Sequence, residues 1–205
     1  VYGHSDIEEL AQFSTVPVIN GLSDLHHPCQ VLADLQTVRE RFGDLRGRHL
    51  AYIGDGNNMA HSLLLGCARS GMSVSVATAR GYECDAAIVA RAREHAAHFG
   101  QVVRTTYSPA EAVSGVDAVY TDVWASMGQE EEHAKRVVAF AGFQVDAALM
   151  AHAKPDAIFL HCLPAHRGEE VSAEVCDGPQ SAIFDEAENR LHAQKALMLF
   201  LMGAG

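Results

Sequence analysis

Apolar runs of three to five residues recur along the chain and alternate with longer stretches whose apolar positions fall three and four apart. The runs at 16–19, 49–53, 73–77, 102–104, 118–120, 157–160 and 182–184 predict strands. The stretches at 28–42, 59–70, 85–99, 109–114, 130–140 and 186–202 predict helices. Strands alternating with helices of this length imply βαβ units. The expected fold is therefore α/β: a doubly wound, mostly parallel sheet with helices on both faces, three αβα layers, Rossmann-like in its units. No internal repeat, low-complexity tract or linker rich in Pro, Gly or Ser interrupts the pattern, so residues 1–205 read as one domain.

In an open parallel sheet, ligands bind beyond the carboxyl ends of the strands. Three polar segments follow predicted strands there. The run at 157–160 ends on His161-Cys162-Leu163-Pro164, which makes the Cys162 thiol a first candidate for chemistry. The plainer alternative is a small buried apolar side chain followed by a strand-stopping proline. Gly54-Asp55-Gly56-Asn57-Asn58-Met59 resembles a dinucleotide loop, but Met59 occupies the third glycine position. The next strand leads into Thr78-Ala79-Arg80, with no acid to hold a ribose, so a nicotinamide-dependent oxidoreductase is disfavoured. Asn57 and Asn58 instead suit either a carboxylate at a helix N-terminus or a simple capped turn.

Asp122 through Gln129 offers a carboxylate, the Ser126 hydroxyl and a glycine-flexed backbone, the groups that an amino acid's ammonium and carboxylate require. Equally, Asp122 could cap a helix while Trp124 is core. His26-His27-Pro28-Cys29-Gln30 opens a helix, with Pro28 in its first turn. Adjacent residues there cannot all face one ion, so no metal is expected. His27 and Gln30 share a helical face, where they could donate to a carbonyl oxygen. Glu186 and Glu188 suit the start of the last helix, and Arg190 is placed to reach an anion.

The chain has 205 residues, 48% hydrophobic and 20% charged, with a net charge of -11. That charge opposes nucleic-acid binding, which needs a basic face, and does not repel a small cation. Five cysteines, an odd number without a CxxC pair, suggest neither a zinc knuckle nor a disulfide framework. A cytoplasmic protein without secretory signal is expected. The longest apolar run, 196–202, falls far short of the roughly 20 residues that span a bilayer.

Taken together, His27-Pro28-Cys29-Gln30, Gly54 through Asn58, Asp122 through Gln129, His161-Cys162-Leu163-Pro164 and Glu188-Asn189-Arg190 resemble the ornithine carbamoyltransferase family in order, spacing and identity. The Ser126-Met127-Gly128 loop is similar to that of the ornithine-using branch. The resemblance implies a transferase that moves the carbamoyl group of carbamoyl phosphate to L-ornithine, in arginine biosynthesis, with no cofactor. It implies that Asn58, Asp122, Ser126 and Met127 hold ornithine. It implies that His27 and Gln30 bind the carbonyl and amino ends of carbamoyl phosphate, and that Cys162, Leu163 and Arg190 line the place where the substrates meet. Asp122, His27, Cys162 and Arg190 form the implied catalytic set.

The family's phosphate-gripping Ser-Thr-Arg-Thr-Arg loop has no counterpart in this sequence. The expectation is a chain lacking the N-terminal carbamoyl-phosphate domain: residues 1–42 an interdomain segment, and 185–205 a C-terminal helix that would pack on that domain. Part of the apolar run 196–202 should then be uncovered. Little or no activity is expected of the chain alone, and a homotrimer of the complete enzyme. A non-catalytic amino-acid-binding or interaction module on the same fold is the alternative.

Overall fold

A computed structural model describes residues 2–125 and 132–203. Helices α1 (His4–Phe13) and α2 (Pro28–Phe42) precede the sheet. The winding then runs β1 (His49–Ile53), α3 (Asn58–Arg69), β2 (Ser73–Ala77), α4 (Ala86–Ala97), β3 (Val103–Thr106), α5 (Pro109–Val113) and β4 (Ala118–Thr121). It continues through α6 (His133–Ala139), α7 (Ala147–Met150), β5 (Ile158–His161), α8 (Ala173–Cys176) and α9 (Ile183–Leu201). All five strands are parallel, in the order β3-β2-β1-β4-β5. The order reverses between β1 and β4. Their carboxyl ends therefore flank the crevice where a doubly wound sheet binds ligands.

Alternation along each strand builds two cores. Leu50 and Tyr52 of β1, Ala118 and Tyr120 of β4, and Ile158 and Leu160 of β5 face the layer containing α2, α3 and α4. Ala51 and Ile53, Val119 and Phe159 face the opposite layer, with Ala112, Phe140, Met150 and Val175. The period of two puts successive side chains on opposite faces, and helices on both faces make every such residue a buried one. Local polar residues start the helices: Asn57, Asp85, Ser108, Asp146 and Ser172 each accept backbone N–H groups at an N-cap.

Two predicted strands are absent. The stretch 16–19 is irregular, with Val16 and Ile19 exposed; Pro17 lacks an N–H for any ladder there. The stretch 182–184 forms no strand: Ser181, just before it, makes a single bridge to Phe159, Ala182 N–H donates to the Phe159 carbonyl, and the chain then opens α9. A three-residue apolar run cannot separate these outcomes by periodicity. Conversely, α1 has no buried residue, and α7 and α8 are single turns, so none carried a legible pattern. The run 196–202 is largely exposed, Phe200 at 76% and Met202 at 78%. No helix among the described residues is long and apolar enough to cross a membrane.

Gly56 sits where the β1 loop passes the backbone of residues 82–84. Its N–H donates to the Tyr82 carbonyl at 2.8 Å. A Cβ would lie 2.4 Å from Cys84 N and 2.5 Å from Glu83 C and Tyr82 O, all backbone that cannot turn aside. Gly56→Ala should destabilise the chain by about 1–3 kcal/mol. The check is a lowered urea midpoint at unchanged slope, and an unchanged midpoint would refute the close approach.

Candidate active site

The loops after β1, β4 and β5 converge on Asp122. Its Oδ2 accepts from Asn57 Nδ2 at 2.9 Å, while Oδ1 accepts from the Cys162 thiol at 3.1 Å and from Val123 N–H at 2.8 Å. Asn57 is also the cap of α3: its Oδ1 accepts from Met59 N–H, Ala60 N–H and the Tyr52 hydroxyl. One amide side chain thus ties a helix start to the carboxylate. The Asn58 amide donates to the Ser23 carbonyl at 2.7 Å. Among the described residues, no cation pairs with Asp122, and its three donors are neutral.

Cys162 is not built as a nucleophile. Burial, and then the adjacent Asp122 carboxylate and its hydrogen bond, push the thiol well above its ordinary range. The thiolate is the reactive form, so this sulfur works as a hydrogen-bond donor.

The turn after β5 is held from behind. His161 Nδ1 accepts from Leu163 N–H at 2.8 Å, which leaves the proton on Nε2 to donate to Glu170 Oε1 at 3.2 Å. The His161 N–H donates to Glu186 Oε2. These bonds hold Leu163 at φ 57, a left-handed conformation uncommon for a residue with a side chain. Such strain concentrates where surrounding structure over-determines a functional turn.

His27, Asn58, Asp122, Cys162 and Leu163 line one cleft of about 150 Å³ with Tyr2, Leu22, Met59, Val123 and Pro164. That is below the ~300 Å³ at which drug-sized pockets begin. It has room for a small ligand or one end of a larger one. His27 caps α2 without a side-chain bond to it, and its N–H donates to Ser62 Oγ at 2.7 Å. Burial, then Arg190, lower the His27 imidazole to about 4, against an opposing pull from Asp122. The neutral ring has one N–H to give to a carbonyl oxygen.

Gln30 departs from the expectation of a free donor. It is 1% exposed, and Nε2 donates to Asp34 Oδ1 at 2.8 Å and Glu186 Oε1 at 2.9 Å, which spends both amide hydrogens inside the protein. Its Oε1 accepts from Arg190 Nη1. Glu186, which the sequence places at a helix start, is fully buried. Asp34 and Glu186 are site components that the sequence reading does not single out. The available signal is the polar pair Gln30 and Asp34, four apart among the buried positions of α2, which otherwise carry Cys29, Val31, Ala33, Thr37 and Val38.

Ser126 and Met127 lie outside the described residues. Trp124 is core, stacked on Phe140. Away from the cleft, His166, Glu169 and Glu170 gather within 4.8 Å, yet Glu169 is paired with His133 and Glu170 with His161.

Two half-buried imidazoles give the chain a pH dependence. His26 is lowered to about 4 by burial, then by His4, His61 and Arg91, alongside His27. In the unfolded chain both titrate near ~6.5. Between the two values the unfolded state binds protons that the folded state refuses. Stability should be complete above ~6.5, fall as pH drops toward ~4, and gain nothing from these groups below that. Urea midpoints across this range check the trend, which a flat profile would contradict.

Residues 46–201 match the family model described as "Aspartate/ornithine carbamoyltransferase, Asp/Orn binding domain", and residues 1–40 match that of its carbamoyl-P binding domain. The chain is 62% identical over 201 residues to the ornithine carbamoyltransferase of Symbiobacterium thermophilum, covering 98% of this chain and 65% of that protein. The solved ornithine carbamoyltransferase of Pyrococcus furiosus superimposes with a TM-score of 0.95 at 52% identity, over 100% of this chain and 65% of that one. That of Gloeobacter violaceus gives 0.92 at 53%, over 98% and 67%. The chain thus spans about two thirds of the length of the relatives it matches. With a family model covering most of its length, and with the sheet, the reversal point and the motif-bearing loops described above, the chain belongs to the aspartate/ornithine carbamoyltransferase family.

Proposed function

We propose that this chain supplies the L-ornithine-binding part of an ornithine carbamoyltransferase, an enzyme making L-citrulline and phosphate from L-ornithine and carbamoyl phosphate. The observation that carries the reading is Asp122. It is a carboxylate at the β1/β4 reversal point, held by three neutral donors and opening on a cleft beside Asn58 and Cys162. Its hydrogen-bond partners bring no compensating charge, so a ligand's ammonium is the counterion that this site can take.

In this reading Asp122, Asn58, Ser126 and Met127 hold the amino-acid end of ornithine. His27, neutral, donates to the carbamoyl carbonyl oxygen; Gln30, Leu163 and Arg190 border the carbamoyl group, and Cys162 stands at the junction. The lone pair of the neutral δ-amine attacks the carbamoyl carbon. The carbon–oxygen bond to phosphate breaks, phosphate leaves with the electron pair, and the new nitrogen sheds a proton. Polarising the carbonyl and orienting two bound substrates are the tasks left to the protein. Neither needs a cofactor or metal.

The place in arginine biosynthesis follows relatives such as that of Pyrococcus furiosus, whose name includes "anabolic". Residues 1–205 are read as one ornithine-binding domain, with 1–42 and 185–205 facing a carbamoyl-phosphate domain. Residues 1–40 match the model of that other domain, and the ornithine-binding model begins at residue 46. A cytoplasmic homotrimer completes the reading. Calorimetric titration tests it: heat with L-ornithine, and none with L-aspartate or putrescine, is expected. Binding of L-aspartate in preference to L-ornithine, or of neither, overturns it. A following titration with a bisubstrate phosphonate shows how much of the phosphate site this chain contains.

A further inference from the structure

Behind Gln30 lies a buried pair of acids to which the catalytic reading gives no task. Asp34 of α2 and Glu186 of α9 are both fully buried, and Gln30 Nε2 donates to both, to Asp34 Oδ1 at 2.8 Å and to Glu186 Oε1 at 2.9 Å, which sets the two carboxyl groups side by side. Two anions held side by side inside a protein repel strongly, so the arrangement favours one proton shared between them. The partners decide where it sits. Glu186 Oε1 accepts from Gln30 Nε2 and the Tyr120 hydroxyl, and Oε2 accepts from His161 N–H; every neighbour is a donor. That is the environment of an ionised acceptor. Asp34 accepts only from Gln30, at Oδ1, and its Oδ2 has no donor among the described residues.

We propose that Asp34 and Glu186 are a positioning pair sharing one proton, Asp34 neutral and Glu186 ionised, which fixes the Gln30 amide with its nitrogen inward and its oxygen toward Arg190. Burial, and then the charge of Glu186, push Asp34 well above the carboxylate range, in keeping with that assignment. The consequence is directional. With both hydrogens held by the acids, Gln30 can offer a ligand only its oxygen, so it selects a donor such as an N–H and rejects a second acceptor. The pair acts through Gln30 and touches no substrate; this deepens, and rests on, the carbamoyl-site reading of Gln30.

The two acids should respond oppositely to amide substitution. In Asp34→Asn the new side chain can still accept from Gln30 and donate to Glu186, as neutral Asp34 does. The unfolding midpoint and the two separate Gln30 side-chain amide proton signals should persist. Glu186→Gln sets an NH₂ group against Gln30, Tyr120 or His161 N–H, so those signals should shift or be lost. Infrared spectra of the unmodified chain with ¹³C-labelled aspartate should show a carboxylic-acid carbonyl band at neutral pH, absent from Asp34→Asn. That measurement stands even if Glu186→Gln does not fold. No acid band in the unmodified chain, or equal or reversed tolerance of the two substitutions, overturns the proposal. No readout uses a ligand, so failure here is distinct from failure to bind ornithine.

Discussion

Arg136→Met should lower the stability of this chain by about 3–5 kcal/mol, the cost of stranding a buried charge. The guanidinium donates to Asp55 and to the Trp124 carbonyl, with side chains 7% and 11% exposed for Arg136 and Asp55. It also lies 5.0 Å over the Tyr82 ring. Burial pushes the Asp55 carboxyl up and Arg136 draws it back, so Asp55 depends on this partner to stay ionised. The bond ties α6 to the β1 loop and to the segment after β4, two of the three loops that frame the cleft. Denaturant unfolding reads the loss. Combining Arg136→Met with Asp55→Asn should recover much of it, because the stranded charge is then gone. A loss below about 1 kcal/mol would put the pair in the class of surface ion pairs and refute its structural weight.

On the proposed function, Asp122→Asn should weaken L-ornithine binding by about 10- to 150-fold, the equivalent of one charged hydrogen bond of ~1.5–3 kcal/mol. The amide loses the charge that an ammonium needs. It also cannot satisfy both Asn57 Nδ2 and the Cys162 thiol, since its own nitrogen must face one of these donors. Cys162→Ser makes the useful comparison. A hydroxyl can still donate to Asp122, so affinity should change far less than in Asp122→Asn. Calorimetry on the two variants decides between them. Equal losses would mean that Asp122 serves only to hold the loops together.

Much of this was legible beforehand because the informative residues follow strands, where periodicity is strong. The predicted ranges 28–42, 49–53 and 73–77 coincide with α2, β1 and β2. The loops carrying Asn57, Asp122 and Cys162 meet because parallel strands place them at one sheet edge. What was hidden depends on contacts distant in sequence. Glu186 reads as a helix-start acid until α9 is laid along α2, bringing it against Gln30, 156 residues away. Cys162 reads as a bare thiol placed for chemistry until the Asp122 carboxylate is found against its sulfur. Asn57 was rightly suspected of capping, but its second bond to Asp122 cannot be inferred from a helix signature. The strand expected at 182–184 failed for a related reason: its edge meets β5 at one residue before the helix begins.

The double duty of Asn57 restricts how this domain could be made more robust. Serine, threonine and aspartate are ordinary replacements at a helix start, and stability design moves freely among them. Here the side chain must accept two backbone N–H groups with one end and donate to a carboxylate with the other. Aspartate would set a second anion against Asp122. Serine is too short to span both. Only an amide fits, so position 57 should resist consensus-style improvement even though its helix would accept it.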